Sequence, residues 1–181
     1  MGGECVDGYD PATGRRLWYF GGLSGGRTIT GPAVGAETVF VTHGMRGPLL
    51  AVAAGGAGDV RSSRRRWTYT GGTPDTPCPV YHDGLVFLVT DNGVATCLDA
   101  KTGAACWKER LGGDFKASPV VAAGQLYFVD RAGKTTVVRA DRTYSKTAVN
   151  DLKEETQASP AISNGQLYLR TRAHLWAIAQ P

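Results

Sequence analysis

The chain has 181 residues, of which 42% are hydrophobic and 20% are charged, with a formal net charge of +4. This length fits one domain, and this composition excludes a disordered chain. The 25 glycines favour an all-β fold with many tight turns over long helices, and no apolar run approaches the roughly 18 residues of a membrane-spanning helix.

The first distinct pattern is DPATGRRLW, from Asp10 to Trp18, with Gly14 four residues after the aspartate. It predicts two strands joined by a turn. The residues before it lack a basic segment followed by an apolar one, so we expect no signal peptide. GGLSGG follows at 21–26 without the lysine that a P-loop requires. We interpret it as a connection between structural units.

Further along, a ten-residue pattern occurs four times, and in each copy a proline is followed eight residues later by an aromatic residue. A period of about 40 residues predicts a repeat fold such as a propeller. Because proline cannot donate to a β-ladder, each proline predicts an edge strand, the first of its unit. The copies are GPAVGAETVF from Gly31, CPVYHDGLVF from Cys78, SPVVAAGQLY from Ser118 and SPAISNGQLY from Ser159, with the prolines at Pro32, Pro79, Pro119 and Pro160.

Each copy contains a hairpin turn after its first strand. HDG, AAG and SNG supply residues that accept a positive φ angle in three copies. The first copy has GAE there, so we expect it to turn differently. A second and a third strand follow, then a turn, then a fourth strand that carries a tryptophan. Four antiparallel strands in about 40 residues predict a propeller blade.

The D-x-x-x-G turn and its tryptophan recur with the same period. Asp99, Gly103 and Trp107 repeat the frame that begins at Asp10. Asp141, Ser145 and Val149 are interpreted as a decayed copy, and the first complete unit keeps only Trp67, after an irregular loop at 53–60. Such uneven decay indicates a packing element rather than a catalytic site.

Counted in this way, the chain forms one all-β domain, 1–181, with seventeen strands in about four blades. It begins with the last two strands of one blade and ends with the first three strands of another, so its two ends are complementary. The predicted blades cover approximately 1–20, 27–70, 76–111, 116–151 and 157–181.

The charged and metal-binding residue types show no functional cluster. Arg61, Arg64, Arg65 and Arg66 lie between apolar strand patterns, and we interpret them as a solvated outer strand rather than a nucleic-acid site. The cysteines are not spaced as zinc ligands, and no histidine lies near them. Cys97 and Cys106 flank a predicted turn. A cross-strand disulfide and two free thiols are both compatible with that placement, and we favour the thiols.

CLDAKTGAACW, from Cys97 to Trp107, together with SPVVAAGQLYFVD, from Ser118 to Asp130, resembles the pyrroloquinoline-quinone-like (PQQ-like) β-propeller repeat family. The family includes quinoprotein alcohol dehydrogenases, the B subunit of the outer-membrane β-barrel assembly machinery and many bacterial repeat proteins. The resemblance covers essentially the whole chain and implies half of a ring of about eight blades. Relatives are usually periplasmic or exported, whereas the compartment of this chain stays open.

The resemblance also implies a structural role for the recurring frame as a tryptophan-docking motif. Trp18 and Trp107 would stack between adjacent blades, and the glycines would allow the tight turns. Trp67 matches only the tryptophan of this motif, without the aspartate and the glycine. The motif residues carried over are Asp10, Gly14, Trp18, Trp67, Asp99, Gly103, Trp107 and Asp141.

Quinoprotein enzymes, by the same resemblance, hold Ca²⁺ with carboxylate and amide groups and in many cases have adjacent cysteines. This chain has no adjacent cysteines, no converging acids, and neither a G-x-S-x-G nor an H-E-x-x-H motif. We therefore expect no catalytic residues, no metal and no cofactor. The main hypothesis is a bacterial scaffold or protein-binding propeller, with part of a PQQ- and Ca²⁺-dependent dehydrogenase as the alternative. Expected partners are other proteins or a second copy that completes a ring head to tail.

Overall fold

A computed structural model of the chain describes residues 4–23, 29–44 and 47–179. These residues form 18 β-strands in five sheets, with no helix among them. Three sheets have four antiparallel strands in chain order, as the repeat predicts, and a partial sheet stands at each end. The all-β prediction, with about four blades, is confirmed. Residues 24–26 of the connection predicted at 21–26, and the outermost residues of the predicted blades, lie outside the described residues.

Sheets 1 and 2 come from the first part of the chain. Sheet 1 is β1, β2 and β6, and sheet 2 is β3, β4, β5 and β7. Their strands are β1 (Cys5–Tyr9), β2 (Arg16–Gly21), β3 (Ala33–Gly35), β4 (Thr38–Thr42), β5 (Leu49–Ala53), β6 (Gly58–Asp59) and β7 (Arg65–Tyr69).

Sheets 3, 4 and 5 follow without interleaving, and each repeat proline immediately precedes the first strand of its sheet. Sheet 3 is β8 to β11, sheet 4 is β12 to β15 and sheet 5 is β16 to β18. Their strands are β8 (Val80–His82), β9 (Leu85–Val89), β10 (Val94–Asp99), β11 (Ala105–Arg110), β12 (Val120–Ala122), β13 (Gln125–Val129), β14 (Lys134–Arg139), β15 (Lys146–Asp151), β16 (Ala161–Ser163), β17 (Gln166–Arg170) and β18 (Leu175–Ile178).

The predicted count of seventeen strands was wrong by one, because the irregular loop at 53–60 contributes β6. This two-residue strand pairs in parallel with β2, placing Gly58 opposite Trp18 and Asp59 opposite Tyr19. The loop carries no alternating apolar pattern from which a strand could be predicted. Its pairing is set by the neighbouring sheet, whose outer edge it covers.

The expectation that the first hairpin turns differently was also wrong. Ala36 and Glu37 have φ angles of 47° and 56°, which correspond to those of Asp83 and Gly84 in sheet 3, at 43° and 77°. The reason is a contact repeated in sheets 2, 3 and 4: the second turn residue accepts a hydrogen bond from the residue that follows the third strand. Glu37 O accepts from Ala54 N as Gly84 O accepts from Ala100 N, each at 2.9 Å.

The outer strand of sheets 1 to 4 is interrupted by a β-bulge at one equivalent position. In sheet 3, Cys97 pairs with Trp107 and Leu98 with Ala105, so Cys106 is the extra residue. A bulge sets two residues against one on the partner strand. The extra residues in the other sheets are Leu17, Arg66 and Thr147.

The hydrophobic core lies between successive sheets, since each sheet buries a face against the next. Trp18 and Phe20 of sheet 1 pack with Val41 and Val52 of sheet 2. Sheets 2 and 3 share a second cluster around Phe40. The third and largest joins sheets 3 and 4, whereas the cluster that reaches sheet 5 has three fully buried residues, Ala117, Val129 and Leu169. Packing therefore weakens toward the last sheet.

The first hairpin provides a stability test. Replacing Glu37 by Gly should raise the free energy of unfolding by about 1 kcal/mol, because glycine adopts the left-handed conformation without the steric penalty of a side chain. The urea unfolding midpoint measures this change. Glu109→Gly is the matched control on the exposed middle of β11, where glycine should lower stability by about 0.5–1 kcal/mol. Equal effects of the two substitutions would contradict this account of the turn.

Candidate functional site

Trp107 lies in the seam between sheets 3 and 4. Its ring is 8% exposed, and its Nε1 donates to the backbone oxygen of Asp141 in sheet 4 at 2.9 Å. The edge of the ring meets Tyr144 at a centroid distance of 5.2 Å, and Phe87 lies beneath it at 6.0 Å. One indole thus joins two sheets by apolar contact and by a hydrogen bond.

Trp67 makes the equivalent contact between sheets 2 and 3. Its Nε1 donates to Ala100 O at 3.0 Å, and its ring lies over the turn that ends at Gly103. A Cβ atom at Gly103 would stand 2.7 Å from Cδ2 of Trp67, and the glycine has a φ angle of +75°. Both the turn and the approach of the ring require the absence of a side chain at this position.

Trp18 is buried between sheets 1 and 2, with 7% of its surface exposed. It crosses β1 at Gly8, where an added Cβ would come within 2.2 Å of the indole. Its strand is also paired with β6, which belongs to the loop inserted in sheet 2. The first seam is therefore closed by both the ring and the backbone.

The two aspartates of the motif shape their own turns. Asp10 accepts from Ala12 N and from the hydroxyl of Thr13, and Gly14 N donates to Asp10 O at 2.8 Å. Asp99 accepts in the same way from the backbone of Lys101 and Thr102. Asp99 also pairs with Arg142 of the next sheet, and that guanidinium holds the pKa of Asp99 at about 2. Both carboxylates are occupied as acceptors, which fits turn formation rather than acid–base chemistry.

The decayed copy does not lie in its predicted frame: the place of the tryptophan is one residue earlier and the place of the aspartate is two residues earlier. Val137 pairs with Ala148 as Cys97 pairs with Trp107, so Ala148 rather than Val149 occupies the place of the tryptophan. Arg139, not Asp141, corresponds to Asp99 because the turn in sheet 4 is one residue longer. Asp141 still takes part in docking, through its backbone oxygen.

The residues that precede the prolines form a hydrogen-bonded ladder along the inner strands, which the sequence analysis missed. Gly31 N donates to Cys78 Sγ, Cys78 N donates to Ser118 Oγ, and Ser118 N donates to Ser159 Oγ, each at 2.9 Å. Every bond joins one sheet to the next. The sequence feature that could have predicted this ladder is the small polar residue before three of the four prolines.

The loops between sheets add a further set of links. Arg131 N, in the second turn of sheet 4, donates to Asp114 O, while Phe115 N donates to Asp91 O in the corresponding turn of sheet 3. Burial raises the pKa of Asp91, but hydrogen bonds from the loop at Asp75 and from Lys116 outweigh that effect, and the net pKa is lowered. Asp91 is thus an anionic anchor for two connecting loops.

Cys97 and Cys106 are free thiols, in agreement with the preference for thiols over a disulfide. The bulge directs Cys106 toward Cys97, which is fully buried. Burial, followed by the nearby Cys106 thiol, raises the pKa of Cys97. The Cys97 thiol is therefore protonated and unreactive near neutral pH.

The structure gathers no catalytic constellation within residues 4–23, 29–44 and 47–179, and no group of three His, Cys, Asp or Glu side chains there could hold a metal ion. The arginine cluster spans the start of β7 and the turn before it. Arg61 lies 3.8 Å from Asp59, and Arg66 donates to Thr38 Oγ1 at 2.7 Å. The described part of the chain contains no helix long and apolar enough to cross a membrane.

Comparison with known families gives a match over residues 56–180 to the family described as outer membrane protein assembly factor BamB. A segment is also 33% identical over 76 residues to the outer membrane protein assembly factor BamB of Yersinia pestis, covering 41% of this chain and 18% of that protein. The sequence resemblance to PQQ-like repeat proteins related to this B subunit is confirmed.

Solved structures show the same fold. BamB from Moraxella catarrhalis superposes with a TM-score of 0.73 at 18% identity, over 96% of this chain and 52% of that chain. The quinohemoprotein alcohol dehydrogenase ADHIIG from Pseudomonas putida HK5 gives a TM-score of 0.63 at 16% identity, over 84% of this chain and 29% of that chain. The chain spans about half the length of the Moraxella protein.

The docking of Trp67 can be tested at the glycine beneath it. Gly103→Ala and Gly84→Ala place a methyl group at similar φ angles, +75° and +77°, but only the first methyl meets a ring, since nothing lies within 4 Å of a Cβ at Gly84. Both substitutions should cost about 1–2 kcal/mol of backbone strain. Gly103→Ala should cost about 1–3 kcal/mol more because the indole must move. Equal urea midpoints for the two variants would contradict the docking.

Proposed function

The chain belongs to the family described as outer membrane protein assembly factor BamB, and we propose that it is a non-catalytic propeller scaffold that binds proteins through its first and last sheets. Its relatives are outer membrane protein assembly factors. The likeness to an alcohol dehydrogenase is one of fold alone, so the proposal includes neither an enzymatic activity nor a cofactor.

One observation carries the proposal. Among the described residues, five of the eight exposed large hydrophobic side chains lie in sheet 1, in or just before β3, or on the outward face of sheet 5. Leu175, in sheet 5, is 72% exposed, and Val34, in β3, is 63% exposed. The five are Tyr9, Leu17, Ile29, Val34 and Leu175. Apolar side chains gathered at such ends are typical of interaction surfaces.

The outward face of sheet 5 corresponds to faces that are buried elsewhere in the chain. Tyr168 occupies the place that Phe87 occupies in sheet 3 and Phe40 in sheet 2, and both phenylalanines are fully buried. Tyr168 is only half-buried, and Leu175 lies on the same face. This face has the residues of a blade seam without a covering blade.

At the opposite end, Val34 points toward sheet 1. Its neighbour Ala33 packs into the cluster between sheets 2 and 3, and side chains alternate along a strand, so Val34 faces the other way. Among residues 4–23 and the other described parts of the chain, sheet 1 has no strand in the positions that β3 and β4 hold in sheet 2. The inner part of this seam is therefore open and apolar.

A second copy of the chain fits both surfaces. If sheet 5 of each chain packs against the sheet 1 end of the other, the seam contacts continue and two sets of about four blades close into one symmetric ring. Each open face then buries the residues that the internal seams bury. Self-association is the most specific form of the proposed binding function.

Light scattering on the purified chain tests the proposed self-association. We expect a mass near twice the 19.1 kDa of one chain, because the dimer buries the apolar ends. Leu175→Asp should return the mass to that of one chain, since it places a charge in the new seam. Val149→Asp is the matched control on β15, an exposed apolar position away from the ends, and should leave the dimer intact.

A monomer for the unaltered chain would overturn self-association. Dissociation by both variants would show that the charge acts without regard to position, and would contradict the assignment to sheet 5. Reduction of a redox dye after addition of PQQ and Ca²⁺ would instead favour the dehydrogenase alternative.

A further inference from the structure

The seam between sheets 4 and 5 contains a cleft of about 800 Å³. Sheet 4 contributes Tyr127, Asn150 and Leu152 to its walls, and sheet 5 contributes Ile162, Leu167 and Ile178. The cleft is internal to one chain. It does not depend on the proposed dimer or on any catalytic activity.

The cleft reaches the place that an indole fills in the neighbouring seam, because Tyr127, Leu167 and Ile178 in its lining correspond to Phe87, Leu126 and Val138 around Trp107. Ala148 pairs with Val137, and Val137 pairs with Tyr127, so these residues share the face of sheet 4 that looks toward sheet 5. In sheet 3 the same three places hold Trp107, Cys97 and Phe87. The methyl side chain of Ala148 thus stands where sheet 3 has the indole side chain of Trp107. Ala148 is exposed, whereas Trp107 is buried.

The opposite wall lacks the contacts that its counterpart receives. Leu126 and Val138 form a cross-strand pair beneath Trp107 and are fully buried. Leu167 and Ile178 form the same pair in sheet 5, yet Ile178 is 42% exposed. β15 has no aromatic residue that could cover this pair.

The chemistry of the cleft suits a flat aromatic group with one donor. Leu152, Leu167 and Ile178 provide apolar walls, and the ring of Tyr127 offers a stacking or edge contact. The side-chain oxygen of Asn150, which lines the cleft, can accept an N–H bond. The volume falls within the range of about 300–1,000 Å³ typical of ligand sites.

We infer that this cleft is a binding site for an indole ring, which takes the place that tryptophan holds in the other seams. The ring can come from a free aromatic compound or from the tryptophan side chain of a peptide. Both sources share the same recognition chemistry: apolar walls, an aromatic neighbour and one acceptor.

Fluorine NMR titration with fluoroindole tests the site on the full chain. We expect saturable binding of one equivalent to the unaltered protein and to Ala148→Ser, which adds no ring. Ala148→Trp should weaken binding by at least about tenfold, because its own indole occupies the cleft. The urea unfolding midpoint of this variant should also rise.

Methyl NMR locates the ligand without relying on that variant. Resonances of Ile162, Leu167 and Ile178 should shift on titration, whereas those of Leu126 and Val138 in the filled seam should not. Absence of saturable binding at millimolar fluoroindole would overturn the inference. So would shifts confined to other methyl groups.

A peptide pair distinguishes the two sources. A short peptide with a central tryptophan that binds at least about tenfold more tightly than fluoroindole, while its alanine version does not bind, would support a tryptophan side chain as the ligand. Binding of fluoroindole without the peptide would support a free aromatic compound. Equal binding of the tryptophan and alanine peptides would contradict recognition of an indole.

Discussion

The fold depends on the docking of one tryptophan ring from the outer strand of a sheet onto the next sheet. A single sheet cannot bury both of its faces, so it gains stability only by stacking against neighbours. The indole brings large apolar area to that contact, and its N–H is satisfied by a turn carbonyl of the neighbouring sheet. The aspartate and the glycine of the motif serve the same contact, because they shape the turn against which the ring packs.

Hydrogen bonds at other levels of the seam fix the angle between sheets. The serine and cysteine ladder joins the inner strands, and connecting loops such as Asp114 to Phe115 join the second turns. Three separated attachments prevent one sheet from pivoting on the next. Where the ring is absent, at Ala148, the ladder still holds the inner strands while a cleft remains between the faces. The proposed binding surfaces and the cleft both lie at incomplete seams.

The sequence was sufficient to predict the sheets, because a proline, a hairpin turn and an aromatic residue recur at the same spacing in each repeat. It was insufficient where partners distant along the chain decide the conformation. Glu37 adopts a left-handed conformation because its carbonyl is held by Ala54, and β6 forms because β2 offers an edge. The frame around Asp141 failed because Arg139 holds the place of Asp99 and the turn after it has one extra residue, so eight residues counted from Asp141 end at Val149 instead of Ala148. The strand register was needed to show that Ala148 holds the place of the tryptophan.

The most direct test is the loss of free energy of unfolding when a docked ring is removed. Urea unfolding of Trp107→Ala should show a loss of about 3–5 kcal/mol, the range for a large buried aromatic side chain. Trp176→Ala provides the matched comparison, because Trp176 is half-buried in β18 and bonded within its own sheet to Thr171. Its loss should be less than half as large. Equal losses, or a loss below about 1 kcal/mol for Trp107→Ala, would contradict the claim that docked indoles hold the sheets together.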